Sequence, residues 1–246
     1  MRCLELKKSK SGLLSAKFAC FLKIFSFYYC RCRLFYQPHV KGSFTLKLKF
    51  NPTFSPLQAW AFSWDDKKAG VQLLLAQLTK KESYKNAIKA SLDNWLPGGS
   101  VRYTPKGLAW RIKWGSNRYA ANTAFLALVA ADQGLKRTAY RNFAKKQINY
   151  MLGDSGRSFV VGFGKNPPRR PHHSSSSCPS APQPCGWDNF NADIPNAHVL
   201  KGALVGGPDE NDNYKDDRKD YVMNEVTTDY NAGFQSSVSG LKQLEL

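Results

Sequence analysis

Residues 120–135 (AANTAFLALVAADQGL) are apolar almost all the way round a helical wheel. A helix with no polar face has to be enclosed by other elements. The partners are legible on both sides of it. Asp65-Asp66 precede a periodic stretch, Lys67–Lys81, in which Ala69, Val71, Leu73, Leu74, Leu75 and Leu78 are apolar. Acidic residues suit the start of a helix and lysines its end. Ser83–Trp95 reads as a second helix, with Ile88, Leu92 and Trp95 in phase, stopped by Leu96-Pro97-Gly98-Gly99. Residues 98–113 read as a loop or short hairpin. Ala139–Leu152 is another periodic stretch, closed by Gly153, and Asn224–Leu244 reads as a last helix. Residues 153–220 between them are rich in Pro, Ser and polar residues, and so long a loop-like stretch points to function or disorder. The expected fold is all-α.

Residues 1–58 read differently and are set apart from 59–246. The chain carries a net charge of +18. Eleven Lys and Arg in residues 1–50 stand against Glu5 alone, giving +10 there. Such charge raises nucleic acid as a partner. No nucleic-acid recognition motif accompanies it, so nucleic acid is not expected. Phe44–Phe50 (FTLKLKF) alternates apolar and polar residues, which is the period of a strand. Lys17 and Lys23 interrupt the apolar residues of Leu13–Tyr29. The longest clean run, Ile24–Cys30, falls far short of the ~20 residues that span a membrane. No segment reads as a signal peptide or a transmembrane helix, and no membrane partner is expected.

Four of the six cysteines, Cys3, Cys20, Cys30 and Cys32, lie in that first segment. The other two, Cys178 and Cys185, flank a Ser/Pro-rich run. No spacing matches a zinc site. Cys178 and Cys185 either form a disulfide in an oxidising compartment or stay as free thiols. The lack of core-forming residues between them favours the disulfide.

Two loop segments concentrate reactive side chains. Ser158–Cys178 carries His172 and His173; Tyr214–Phe234 carries Asp216, Asp217, Asp220, Glu225 and Asp229, with Tyr221 and Tyr230 interleaved. Adjacent histidines point in different directions, and no third ligand is suitably spaced, so a metal is not expected. Glycoside hydrolysis needs one carboxylic acid to protonate the leaving oxygen and a second carboxylate opposite it. Glu225, read at the start of the last helix among Val222, Met223 and Val226, suits the acid. Asp216 or Asp217 could shape the site. The plain alternative is a solvated acidic loop with Lys215, Arg218 and Lys219 as neighbours, and Glu225 as a first-turn partner of the helix dipole.

The pattern of these segments resembles glycoside hydrolase family 9, the endo-β-1,4-glucanases. Tyr214, Asp216, Tyr221, Glu225, Thr227 and Asn231-Ala232 fall at the spacing of one family signature. Ser158, Gly164, Asn166, Pro171 and His172 fall at that of the other. The likeness runs over about 61–241 and includes Phe62–Gly70, Trp114–Asn122 and Gly206-Gly207-Pro208-Asp209. The resemblance implies that Glu225 is the general acid, Asp216 an active-site carboxylate and His172 the active-site histidine. It places Tyr230 beside the sugar at the cleavage point. Trp114, Arg118 and Tyr119 resemble cleft residues that stack on or hydrogen-bond glucose units; core packing is the plain alternative for Trp114. One departure stands out. The family carries Arg two residues after the active-site histidine, and this chain has Ser174. A charged donor fork is replaced by a small hydroxyl; Arg169 or Arg170 is the candidate substitute.

The resemblance further implies an (α/α)6 barrel, inversion at the anomeric carbon, a β-1,4-glucan such as cellulose as partner, secretion, and no cofactor. The family's base belongs to an Asp-Ala-Gly-Asp motif, which this sequence does not contain; residues 1–60 hold no Asp at all. The expectation is therefore the C-terminal part of a family 9 catalytic domain, a partial barrel lacking its N-terminal half. The alternative is a non-catalytic carbohydrate-binding remnant. Half a barrel would expose apolar helix faces, so association or poor solubility is also expected.

Overall fold

The computed structural model describes residues 61–245. The strand expected at Phe44–Phe50 and the whole basic segment lie outside them. The enclosed helix is present, and it starts a turn earlier than its apolar run. Numbered in chain order, the α-helices are α1 (Lys68–Thr79), α2 (Glu82–Asp93), α3 (Ser116–Asp132), α4 (Arg137–Asn149, continued by a π-helical turn, Tyr150–Asp154), α5 (Ser174–Ser177), α6 (Trp187–Asn191), α7 (Tyr221–Asn224) and α8 (Thr228–Gln243). Residues 116–131 of α3 are all buried. Its end is set by Gly134, whose positive φ (85°) turns the chain out of the helix. That leaves Leu135 beyond the helix, with its N–H on the Ala130 carbonyl (3.0 Å).

α1 and α2 form one helical hairpin through a turn at Lys80 (φ 60°), with Ser91 near the end of α2 donating to Gln72 near the start of α1 (3.2 Å). α3 and α4 form a second. A short antiparallel ribbon, Arg102–Tyr103 against Ala109–Trp110, fills the connection read as a loop or hairpin. Gln147 of α4 fixes that ribbon: its Oε1 accepts from the Ala109 N–H (2.8 Å), and its Nε2 donates to the Gly107 carbonyl (3.0 Å).

α8 lies on α3 along a stripe of small residues. A Cβ on Gly233 would sit 2.1 Å from Asn122 Oδ1, 2.7 Å from Asn122 Cα and 2.9 Å from its N. Further along, Ser237 donates to the Ala121 carbonyl (3.2 Å), and a Cβ on Gly240 would meet Leu128 at 3.2 Å. Removing side chains at these positions lets the two backbones approach and closes the core over α3.

The loop-like stretch 153–220 is ordered by isolated backbone pairings rather than by a sheet. Val160 pairs with Leu204, Val205 with Val226, and His172 with Glu225. These bridges run one strand of loop past the next over the N-terminus of α3. There the Asn117 N–H donates to the Gly206 carbonyl (2.9 Å) and Ser116 to the Pro208 carbonyl (3.0 Å). Cys178 and Cys185 are joined as a disulfide. No helix among the described residues is long and apolar enough to cross a membrane.

Candidate active site around Glu225

Glu225 is not in the first turn of the last helix. It follows α7 in extended backbone (φ −57°, ψ 140°), and α8 begins only at Thr228. Two caps explain the break. The Asp220 carboxylate accepts from the N–H groups of Val222 (2.9 Å) and Met223 (3.1 Å) and starts α7. Thr227 accepts from the Tyr230 N–H (3.3 Å) and starts α8. The residues between the caps are held from outside: the His172 N–H donates to the Asn224 carbonyl (2.8 Å), and the Gly207 N–H to that of Met223 (3.0 Å). The first-turn acid of α8 is Asp229, not Glu225.

The carboxylate of Glu225 is met by donors, not by the apolar residues next to it in sequence. Trp114 Nε1 donates to Oε2 at 2.8 Å and the Tyr230 hydroxyl to the same oxygen at 2.7 Å. Oε1 has no hydrogen-bond partner among the described residues. Trp114 stands just before α3, ahead of Gly115, whose φ of 71° favours glycine and whose missing side chain makes room for the Tyr230 ring. Tyr230 is wholly buried, and burial, helped by its bond to Glu225, pushes its hydroxyl pKa well up. The phenol therefore remains a donor.

Behind Tyr230 lies Arg118. Its guanidinium contacts the rings of Tyr119 (4.4 Å) and Tyr230 (4.8 Å), donates to the Tyr119 hydroxyl (2.8 Å), and pairs with Asp229 at 3.1 Å. Burial works against its charge, but Tyr119, Tyr230 and Asp229 outweigh it and hold the group firmly protonated. Burial likewise raises the Tyr119 hydroxyl. Of the four residues expected to touch sugar, only Trp114 presents open surface, at 45% exposure; Arg118, Tyr119 and Tyr230 are buried. In this structure those three lie behind Glu225 and Trp114 and offer no open surface of their own. The physical reason is packing: the Arg118 guanidinium is taken up by the Tyr119 hydroxyl, the Tyr230 ring and Asp229, and the Tyr230 hydroxyl by Glu225.

His172 sits beside Glu225 through the backbone bridge. Its Nδ1 lies 2.7 Å from the Arg218 carbonyl, which only accepts, so the proton is on Nδ1. Its ring meets Phe190 (5.8 Å) and Tyr221 (6.1 Å) edge-on. Asp216 is committed elsewhere: Oδ2 accepts from the Arg169 N–H (2.8 Å) and Oδ1 from the Arg170 N–H (3.0 Å). It clamps the turn that leads into His172. Ser174 is exposed at the start of α5. Of its candidate substitutes, Arg170 is ion-paired with Asp193.

Three contributors escape a reading of the sequence alone. Tyr221, noted only as an aromatic at a spacing, packs its ring on Trp114 (5.1 Å). Asn224 is fully buried, donating to the Lys215 carbonyl (2.8 Å) and accepting from Tyr214, so it fixes the backbone just before Glu225. Arg218, read as a loop cation, is 2% exposed. It donates to the carbonyls of Asn189, Phe190, Ala192 and Ile194 and to Asn196 Oδ1.

With this geometry in place, comparison with known proteins assigns the family. The model of glycosyl hydrolase family 9 matches residues 35–238, most of the chain. The chain belongs to glycosyl hydrolase family 9. Endoglucanase A of Bacillus pumilus is 45% identical over 198 residues, covering 75% of this chain and 29% of that protein. The endoglucanase of Dictyostelium discoideum is 45% identical over 187 residues, covering 75% and 25% respectively. The solved endoglucanase of the termite Nasutitermes takasagoensis superposes with a TM-score of 0.73 at 56% identity, over 76% of this chain and 42% of that one. Endoglucanase CelQ of Clostridium thermocellum, complexed with cellobiose and cellotriose, gives 0.67 at 46% identity, over 75% and 31%. The chain thus spans well under half the length of these family 9 relatives. Its helical hairpins are part of the (α/α)6 architecture of the family.

Proposed function

We propose that this family 9 chain carries the acid side of an endo-β-1,4-glucanase site that hydrolyses glucan with inversion, Glu225 being the general acid. The observation that supports this reading is the convergence of two donors on one oxygen of Glu225. An oxygen that accepts twice is a poor place for a proton, so the acidic proton belongs on Oε1. From there it can pass to the leaving glycosidic oxygen. As it leaves, charge develops on the carboxylate, and Trp114 and Tyr230 are already aimed at it. The half-exposed Trp114 ring offers a face to the apolar side of a glucose unit while its N–H stays on Glu225. His172, with Nδ1 spent on the Arg218 carbonyl, keeps Nε2 for a sugar hydroxyl. Asp216 serves this site as a positioning residue for the His172 turn. Cello-oligosaccharides, seen with CelQ, are the ligands this reading transfers. The disulfide fits a secreted protein.

A second reading, carbohydrate binding without hydrolysis, is favoured by the state of the other carboxylates. Inversion needs a base about 6.5–9.5 Å from the acid with a water between them. Asp216 and Asp220 each accept from two backbone amides, Asp217 is paired with Lys215, and Asp229 with Arg118. Release of reducing ends from carboxymethylcellulose separates the readings. Release by the wild type, lost in Glu225→Gln, supports hydrolysis. A folded wild type that binds cello-oligosaccharide and releases nothing supports binding alone.

A further inference from the structure

Trp187 opens α6 and is 75% exposed. None of the five residues of α6 is buried, so the helix contributes nothing to the core. Its segment is nevertheless fixed with unusual care. The Cys178–Cys185 disulfide closes the loop just before it. Asn189 Oδ1 accepts from the Gly186 N–H (2.9 Å) at its start. Arg218, buried and in no ion pair among the described residues, holds four backbone carbonyls between Asn189 and Ile194. A buried guanidinium costs several kcal/mol to desolvate, and here it is used to shape a surface segment. A segment held rigid that packs no core is held for what it presents, and it presents an indole.

That indole is the end of a row of rings that leads to the acid. Trp187 meets Phe190 edge-on (5.7 Å), Phe190 meets His172 (5.8 Å), His172 meets Tyr221 (6.1 Å), and Tyr221 meets Trp114 (5.1 Å). Trp114 donates to Glu225. We propose that Trp187 is a sugar-binding platform, an outlying contact for a β-1,4-linked glucan whose nearer units lie over His172 and Trp114. An exposed indole suits this ligand because its face covers the apolar face of a pyranose while its N–H stays in water. Since two ring contacts separate it from His172, only chains long enough to cross both reach it. Trp187 therefore reads chain length, and rigidity of its loop sets how well. The inference rests on the glucan-binding reading of the Glu225 site but not on turnover there.

The test is calorimetric titration of the full chain with non-hydrolysable, thio-linked cellotriose and cellohexaose. Trp187→Ala is expected to bind cellohexaose roughly tenfold more weakly than wild type and cellotriose equally well. Trp187→Phe is expected to recover most of the loss. Unchanged cellohexaose affinity in Trp187→Ala overturns the inference, as does an equal loss on both ligands, which marks a structural effect. A wild type that binds neither ligand overturns this inference together with the glucan-binding reading. A length-dependent loss in Trp187→Ala, beside a wild type that cleaves no natural glucan, supports the platform while removing the hydrolase reading.

Discussion

Gly233→Ala sets two ordinary effects against each other, and the structure decides between them. In a helix interior, alanine is favoured over glycine by about 1 kcal/mol, so propensity alone predicts a gain. Against it stands the approach of α8 to α3. The new Cβ would lie 2.1 Å from Asn122 Oδ1, and 2.7 and 2.9 Å from the Cα and N of the same residue. The side chain has little freedom to yield, because Asn122 Nδ2 donates to the Phe62 carbonyl (2.9 Å) in the core. The backbone has less, because residues 116–131 of α3 are buried throughout. Overpacking of this kind costs about 1–3 kcal/mol and more where backbone must move. Contact with Asn122 backbone atoms places the cost at the upper end of that range, so the net expectation is destabilisation by about 1–2 kcal/mol after the propensity gain, which lowers Tm by roughly 2–8 °C in a chain of this size. Thermal and urea unfolding followed by far-ultraviolet circular dichroism measure it. Gly240→Ala, whose Cβ meets only the end of Leu128 at 3.2 Å, should fall between this variant and wild type. Gly186→Ala, with open space around its Cβ, should change little. A Gly233→Ala chain as stable as wild type, or more so, would refute the account of how α8 seats on α3.

Tyr230→Phe removes one of two donors from Glu225 Oε2 and keeps the ring against Arg118. A hydrogen bond to a charged group contributes about 1.5–3 kcal/mol, so kcat on a soluble glucan is expected to fall roughly tenfold or more, with KM little moved. Arg218→Met leaves four carbonyls of the 189–194 segment without their donor. Limited proteolysis should then cut between Cys178 and Asn196 at least tenfold faster, given the ~1–3 kcal/mol cost of each buried group left unpaired, while the cutting rate elsewhere stays the same.

The helical core was legible because its signal is local. α1 to α4 follow from apolar residues at helical spacing, with Gly98-Gly99 and Gly153 marking the stops of α2 and α4, and they lie within a few residues of where the sequence puts them. The start of α8 was misread for an identifiable reason. Val222, Met223 and Val226 continue the apolar phase of the helix backwards, whereas Asp220 and Thr227, both side-chain caps, divide that stretch into two elements. Reading Thr227 as a cap would have placed Glu225 outside the helix. The disulfide was favoured from the composition between the two cysteines, and the structure forms it. The environment of Glu225 was beyond the sequence, because Trp114 lies 111 residues away and its indole N–H is the contact that matters. Arg218 was equally hidden. A charged residue in an acidic loop reads as solvated, and nothing local signals that its partners are backbone carbonyls more than twenty residues upstream. Asp216 falls at the spacing of a family carboxylate, yet its oxygens are engaged by amides, a fact that spacing cannot carry.

The measurement that bears most directly on Glu225 as general acid compares substrates that need protonation with one that does not. The wild type and Glu225→Gln would be assayed on cellohexaose and on an aryl β-cellobioside bearing dinitrophenolate, a leaving group that departs without a proton. The account predicts that the substitution abolishes cleavage of cellohexaose and leaves release of dinitrophenolate largely intact. Equal loss on both substrates, or retained cleavage of cellohexaose, would contradict it.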